Sequence, residues 1–167
     1  MTTFDSTQYI QELENYLGDD EPLAVLQTTL TLLPALVGDL DEATLTRQPA
    51  PGEWSPWQVV LHLADTEWVY GVRVRLTVAQ ERPVLVGYDQ DAWVTRFGSL
   101  DKDIHETLAR FRLLREANLR VYHALNEAEL QRIGLHTERG EETVEHIIRA
   151  LGGHDRLHLE QIKRALA

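Results

Sequence analysis

TVEHIIRALGGHDRLHLEQIKRA, residues 143–165, has the period of an amphipathic helix and departs from it at one place. At about 100° per residue, Val144, Ile147, Ile148, Leu151, Ile162, Ala165 and the following Leu166 share one arc. Glu145, Arg149, Arg156, Glu160 and Lys163 lie opposite, where (i, i+4) pairs such as Glu145–Arg149 and Arg156–Glu160 are expected. Two imidazoles, His154 and His158, sit one turn apart inside the apolar arc, with Asp155 at its side. Gly152 and Gly153 precede them. Each mid-helix glycine costs about 1 kcal/mol relative to alanine, so a bend or a close backbone approach is expected there.

Three more long segments carry a helical period, and almost nothing alternates at period two. The first starts near Asp20, read as the N-cap before Pro22, and places Leu23, Leu26, Leu30, Leu33 and Val37 at three- and four-residue steps up to Gly38. A short N-terminal helix, residues 1–19, comes before it. In WSPWQVV, Ser55 caps the next helix, Pro56 takes its first position and Gln58 closes a capping box; the helix runs to about Gln80. ERPVLVGYDQ then breaks the pattern. The third long helix starts near Ser99 or Asp101 and runs to Leu125, with Ile104, Leu108, Phe111, Tyr122 and Leu125 on one face and Arg115 and Asn118 in the same frame. The loop GLHTERGEE leads into the last. Four amphipathic helices over residues 20–167 predict an all-α, up-and-down four-helix bundle with short extra helices.

The composition sets the class of partner. A formal charge of −11 argues against nucleic acid, which demands a basic face. No apolar run approaches the roughly 20 residues of a membrane helix, and MTTFDSTQYI lacks the regions of a signal peptide. A cytoplasmic protein acting on a small molecule is therefore expected. With no cysteine in the chain, disulfides, thiolate ligands and a cysteine nucleophile are all excluded.

On the second helix His62, Thr66 and Arg73 form a narrow polar stripe, so three histidines from two helices can meet inside the bundle. Two readings stand. The rings are hydrogen-bonded core residues, or they are ligands: a neutral imidazole suits zinc, nickel, copper or iron, and three of them leave a coordination position open. Asp155 makes HDRLH, one methylene short of the HExxH pattern; it reads as a base or a hydrogen-bond partner at the site, or equally as one half of an ion pair with a neighbouring arginine. Arg73 is a candidate for binding a substrate carboxylate, or a salt-bridge partner of Asp65 or Asp155. Tyr88 and Trp93 in YDQDAW line the pocket mouth or plug a bundle end. Gln161 is placed to hydrogen-bond near His158. His136 reads as a solvated loop residue, and His105, His123 and His146 as surface residues.

PGEWSPWQVVLHLAD, YDQDAW, HTERGEETV and GGHDRLHLEQI, in that order, resemble the DinB/YfiT-like family of four-helix-bundle metalloenzymes. The resemblance runs from about Pro51 to Leu166. It implies a homodimeric bundle holding a divalent metal, zinc or nickel foremost, through one histidine of the second helix and the HxxxH pair of the last: His62, His154 and His158 here. Some members are S-transferases using bacillithiol or mycothiol, which implies a low-molecular-weight thiol cosubstrate. A metal-dependent hydrolase and a non-catalytic stress-response dimer are the alternatives.

Overall fold

A computed structural model of the chain describes residues 6–98, 100–101 and 103–167. Residues 1–5 of the expected N-terminal segment, and Ser99, one of the two expected starts of the third long helix, lie outside that range. In chain order the elements are α1 (Ser6–Leu17), α2 (Pro22–Val37), α3 (Glu42–Thr46), α4 (Pro56–Ala79), β1 (Val84–Leu85), α5 (Gln90–Phe97), α6 (Ile104–Tyr122), α7 (Glu127–Leu130), β2 (Ile133–His136), β3 (Gly140–Thr143) and α8 (Val144–Leu166).

The four long helices α2, α4, α6 and α8 form the expected bundle. Each of α2 and α4 packs against both α6 and α8, so the ring order is α2, α6, α4, α8. The sequence-consecutive pairs α2/α4 and α6/α8 therefore face each other across the diagonal, joined by connections that hold α3 and, on the other side, α7 with the β2–β3 hairpin. α1 lies along α8, with Leu13 and Leu17 buried. Among the described residues no helix is long and apolar enough to cross a membrane.

Local signals explain most of the boundaries. Ser55 accepts from the Gln58 amide at 3.3 Å while Gln58 Oε1 accepts from the Ser55 amide at 2.9 Å, so α4 starts on a complete capping box. Thr143 caps α8 by accepting from the His146 amide at 3.1 Å. At α2 the cap is Glu21, which accepts from Ala24, and not the expected Asp20; Asp20 is instead paired with Arg156 of α8. The third long helix ends at Tyr122, short of the expected Leu125.

The apolar core is divided into two clusters, and the division falls at one level on all four helices. On α8 it separates Leu151 from Leu159, on α6 Phe111 from Leu119, on α4 Ala64 from Tyr70 and on α2 Leu26 from Leu33. Between the clusters lie buried Thr29, Thr66, Glu67, Arg115, Asn118, His154, Asp155 and His158. Arg115, fully buried, organises this layer. Its guanidinium donates to Glu67 at 2.9 Å, to both oxygens of Asp155 at 2.6 and 2.9 Å, and to the Leu26 carbonyl at 2.9 Å. One side chain of α6 thus ties α2, α4 and α8 together. Asn118 adds a bond to the second Glu67 oxygen at 2.9 Å.

The sequence reading missed a three-stranded sheet. β1 runs parallel to β2 (Leu85 opposite His136) and β2 antiparallel to β3 (Gly134 opposite Glu142). The buried positions of β2 are Gly134 and His136, while its apolar Ile133 and Leu135 are only half-buried, so the four-residue alternation is too short and points the wrong residues inward to announce the strand. Gly134 is required by contact: a Cβ there would meet Leu85 Cδ1 at 2.5 Å and Thr77 Oγ1 at 2.8 Å, which is how the hairpin lies down on α4. Nor do the expected (i, i+4) pairs form on α8. Arg149 bonds Glu14 of α1 at 2.8 Å, Arg156 pairs with Asp20, and Glu160 takes Lys163. The packing of α1 and of the α1–α2 turn against α8 brings acids within reach that the helix alone does not offer.

Close backbone approach accounts for Gly153, whose added Cβ would lie 2.0 Å from the Leu13 carbonyl oxygen. Gly153→Ala, normally worth about 1 kcal/mol of helix propensity, is expected instead to lower the melting temperature, because α1 must move off α8; a raised temperature would contradict that packing. Arg115→Met leaves Glu67 and Asp155 buried and unpaired and should cost about 3–5 kcal/mol in urea unfolding, whereas replacing all three with apolar residues should recover most of it. A loss below about 1 kcal/mol for the single change would mean that the network contributes little.

Candidate metal centre

His62 of α4 and the His154–His158 pair of α8 meet because α4 and α8 are neighbours in the ring. Their Nε2 atoms converge: His62 to His154 at 2.9 Å and His158 to His154 at 3.1 Å. All three rings are buried, and among the described residues they form the one histidine and carboxylate cluster with metal-ligand geometry. Trp54, the residue before the Ser55 cap, half covers them, its ring centroid 4.8 Å from His62 and 6.3 Å from His158.

The donor set fits a cation. His158 Nδ1 lies 2.7 Å from Gln161 Oε1; an amide oxygen only accepts, so Nδ1 carries the hydrogen and Nε2 presents its lone pair inward. Burial, reinforced by the neighbouring imidazoles, holds His62 and His154 far below the usual histidine range. His158 is pushed down to about 4, mainly by burial, against the opposing pull of Gln161 and Asp155. All three are therefore neutral at physiological pH, the form that ligates. Hydrogen bonds cannot satisfy the arrangement. With the His158 lone pair fixed, His154 Nε2 cannot both accept from His62 and donate to His158, so one short contact opposes two lone pairs or one bond is shared. A single cation accepts all three.

His62 and His154 open onto a cavity of about 340 Å³, walled by Tyr9, Tyr70, Arg73, Tyr88, His136 and Arg139 among others. His136, expected in a solvated loop, is buried on the wall and is the functional candidate that sequence reasoning missed. It closes β2, and its Nδ1 accepts from the Glu138 amide at 3.2 Å. Burial and the charges of Arg139 and Arg73 press it down to about 4. The composition HTERGE held no sign of this, since only the pairing of β2 with β1 turns the ring inward. Tyr88, whose hydroxyl is 3.2 Å from Thr66 Oγ1, lines the cavity; Trp93 does not, and packs on Tyr88 at 4.8 Å between centroids.

Arg73 faces the cavity with its Nη2 donating to the Val86 carbonyl at 2.9 Å. The expected acid partners are engaged elsewhere: Asp65 with Arg110 at 2.8 Å and Asp155 with Arg115. Asp155 is thus one half of an ion pair, but with an arginine across the bundle, and with both oxygens taken it is not free to serve as a base. Asp155 and Arg115 also bear on the imidazoles in opposite senses: the charge of Asp155 draws His158 up, while that of Arg115 presses His154 down.

A model of the DinB superfamily matches residues 26–162. A Bacillus licheniformis protein provisionally named a metal-dependent hydrolase is 31% identical over 134 residues, covering 79% of this chain and 72% of its own. One from Oceanobacillus iheyensis, named in the same way, is 25% identical over 147 residues, 88% of this chain and 84% of its own. Among solved structures, YfiT of Bacillus subtilis, described as having an unusual four-helix bundle topology, superposes with a TM-score of 0.80 at 22% identity over 99% of this chain and 89% of that one.

The depressed histidines give a signed pH dependence in chelated protein. Folding favours the neutral rings, so their contribution is complete above the unfolded value of 6.5 and is lost as pH falls from there towards about 4. Urea unfolding free energy should drop between pH 7 and pH 5 by on the order of 1–2 kcal/mol for His158 alone. His158→Gln should flatten that slope; an unchanged slope would show that the ring is not held neutral.

Proposed function

The chain belongs to the DinB superfamily, and on that footing we propose that it is a metal-dependent hydrolase of a small molecule, with His62, His154 and His158 as the metal ligands. The observation that carries this reading is the convergence of three neutral Nε2 atoms, two of them on rings that line an open cavity. The provisional names of its relatives agree with it. Three imidazoles suit zinc or nickel, and three ligands leave room for a substrate. A divalent ion held by these three rings would supply Lewis acidity, under which a water or an added thiol would lose its proton near neutral pH.

The protein's own groups do the rest. Gln161 fixes the His158 tautomer, and the cap at Ser55 anchors the helix that carries His62. Trp54 shields the rings from solvent, and Tyr9, Tyr70 and Tyr88 give the cavity aromatic walls that hold an organic substrate. S-transfer from a low-molecular-weight thiol is the second reading. Because the chain has no cysteine, any sulfur nucleophile must be a cosubstrate, so the two readings separate in a single assay.

Metal analysis of untagged protein should find about one divalent ion per chain, with zinc and nickel expected to compete for it. His154→Ala and His158→Ala should each reduce occupancy by more than about tenfold while helicity survives. Wild-type protein that neither carries nor takes up zinc or nickel would overturn the proposal. If the loaded protein turns over electrophilic substrates in water alone, it is a hydrolase; turnover only when a thiol is added would reassign it as an S-transferase.

A further inference from the structure

Two hydrogen-bond donors on residues that line the cavity have no partner among the described residues. Arg73 Nε and His136 Nε2 are both buried and without a partner, in side chains only 5% and 4% exposed. Each is a donor and not an acceptor. Arg73 Nε–H belongs to a guanidinium, and His136 Nδ1 already accepts from the Glu138 amide, which leaves the hydrogen on Nε2. An unmatched buried donor costs about 1–3 kcal/mol. Two of them on one small cavity, beside the histidine cluster, point to an acceptor that arrives with the substrate.

The charge of the wall narrows the class. Arg139 is neutralised by Glu142, which it grips with two bonds at 2.6 and 3.0 Å. Arg73 has no carboxylate partner among the described residues; its one side-chain bond is to the Val86 carbonyl, and its guanidinium lies 5.3 Å from the Tyr70 ring centre. The wall thus holds one guanidinium without an ion-pair partner and two unmatched N–H groups, while Asp89 and Glu138, which also line the cavity, disfavour a doubly charged ligand. A planar monoanion with two acceptor oxygens satisfies that demand, and a phosphate dianion does not.

We infer that Arg73 and His136 form a carboxylate-binding subsite on the wall of the histidine cavity, so that the substrate is a small carboxylic acid held by its carboxylate while another bond lies at the metal centre. The inference rests on the reading of this cavity as the reaction site. Arg73 acts from α4, the helix that carries His62, and His136 from the end of β2. The α4–β2 packing at Gly134 therefore sets the spacing between the subsite and the histidines.

The test is calorimetric titration of the full chain, as isolated and after chelation, with propionate, propionamide and inorganic phosphate. Propionate should bind both forms, propionamide at least about tenfold more weakly, and phosphate no better than propionamide. Arg73→Gln should weaken propionate by about tenfold or more and His136→Phe severalfold, with circular dichroism unchanged. Should a variant fail to fold, propionate must still shift the Arg73 Nε–H and His136 Nε2–H resonances of the wild-type protein. Propionate that binds only the metal-loaded form, affinity indifferent to Arg73→Gln, a preference for phosphate, or unmoved resonances would each overturn the subsite. Metal content, read on the same samples, separates the two failures. Metal-bearing protein with no carboxylate binding sinks the subsite alone, and carboxylate binding by protein that takes up no metal sinks the hydrolase reading alone.

Discussion

The buried Arg115 guanidinium is the constraint on which the rest of this bundle depends. Apolar helices slide and rotate against one another at little cost, because one well-packed register of leucines and valines resembles the next. Five N–H donors in a rigid fork allow no such latitude. Arg115 meets Glu67 on α4, Asp155 on α8 and a carbonyl on α2 at once, and only one mutual placement of the four helices satisfies all of them. Asp155 is the chain neighbour of His154, and Glu67 lies on the helix of His62. Fixing those two carboxylates fixes the three imidazoles.

The polar layer has a second consequence. A bundle with two apolar clusters and a charged level between them keeps its stability in the clusters and its chemistry in the layer. The layer and the His62 ring beside it carry groups that are costly to bury alone: two carboxylates against one guanidinium, three neutral imidazoles, and unmatched nitrogens on His62 and His154. Its inward lone pairs favour a cation. The wall of the adjoining cavity has the opposite character, with an unpaired guanidinium and a bare N–H. Cation and anion preferences therefore stand side by side, as the proposed carboxylate substrate beside a metal would require.

Much of this was legible in the residues. The periods of α2, α4, α6 and α8, the Ser55–Pro56–Gln58 start and the inward arc holding His154 and His158 all follow from 3.6-residue geometry and capping chemistry, which are local. Arg115 and Asn118 could be placed on the inner face of their helix, but not given partners. The sheet was not legible, because its strands are two to four residues long and bury a glycine, a histidine and a glutamate beside the single apolar Leu85. His136 was misread for the same reason: a ring on a loop-like string has no period to reveal which way it points.

Local chain geometry set the four long helices, their apolar faces and the inward turn of His62, His154 and His158, since each depends on neighbours a few residues away. Tertiary structure decided the pairings: Arg73 left without an acid, Asp155 committed to Arg115, Arg149 and Arg156 joined to Glu14 and Asp20, and His136 delivered to the cavity. Those choices depend on the ring order and on where a hairpin lies down. They are settled by the geometry of side chains brought from distant parts of the chain, which helical spacing does not encode.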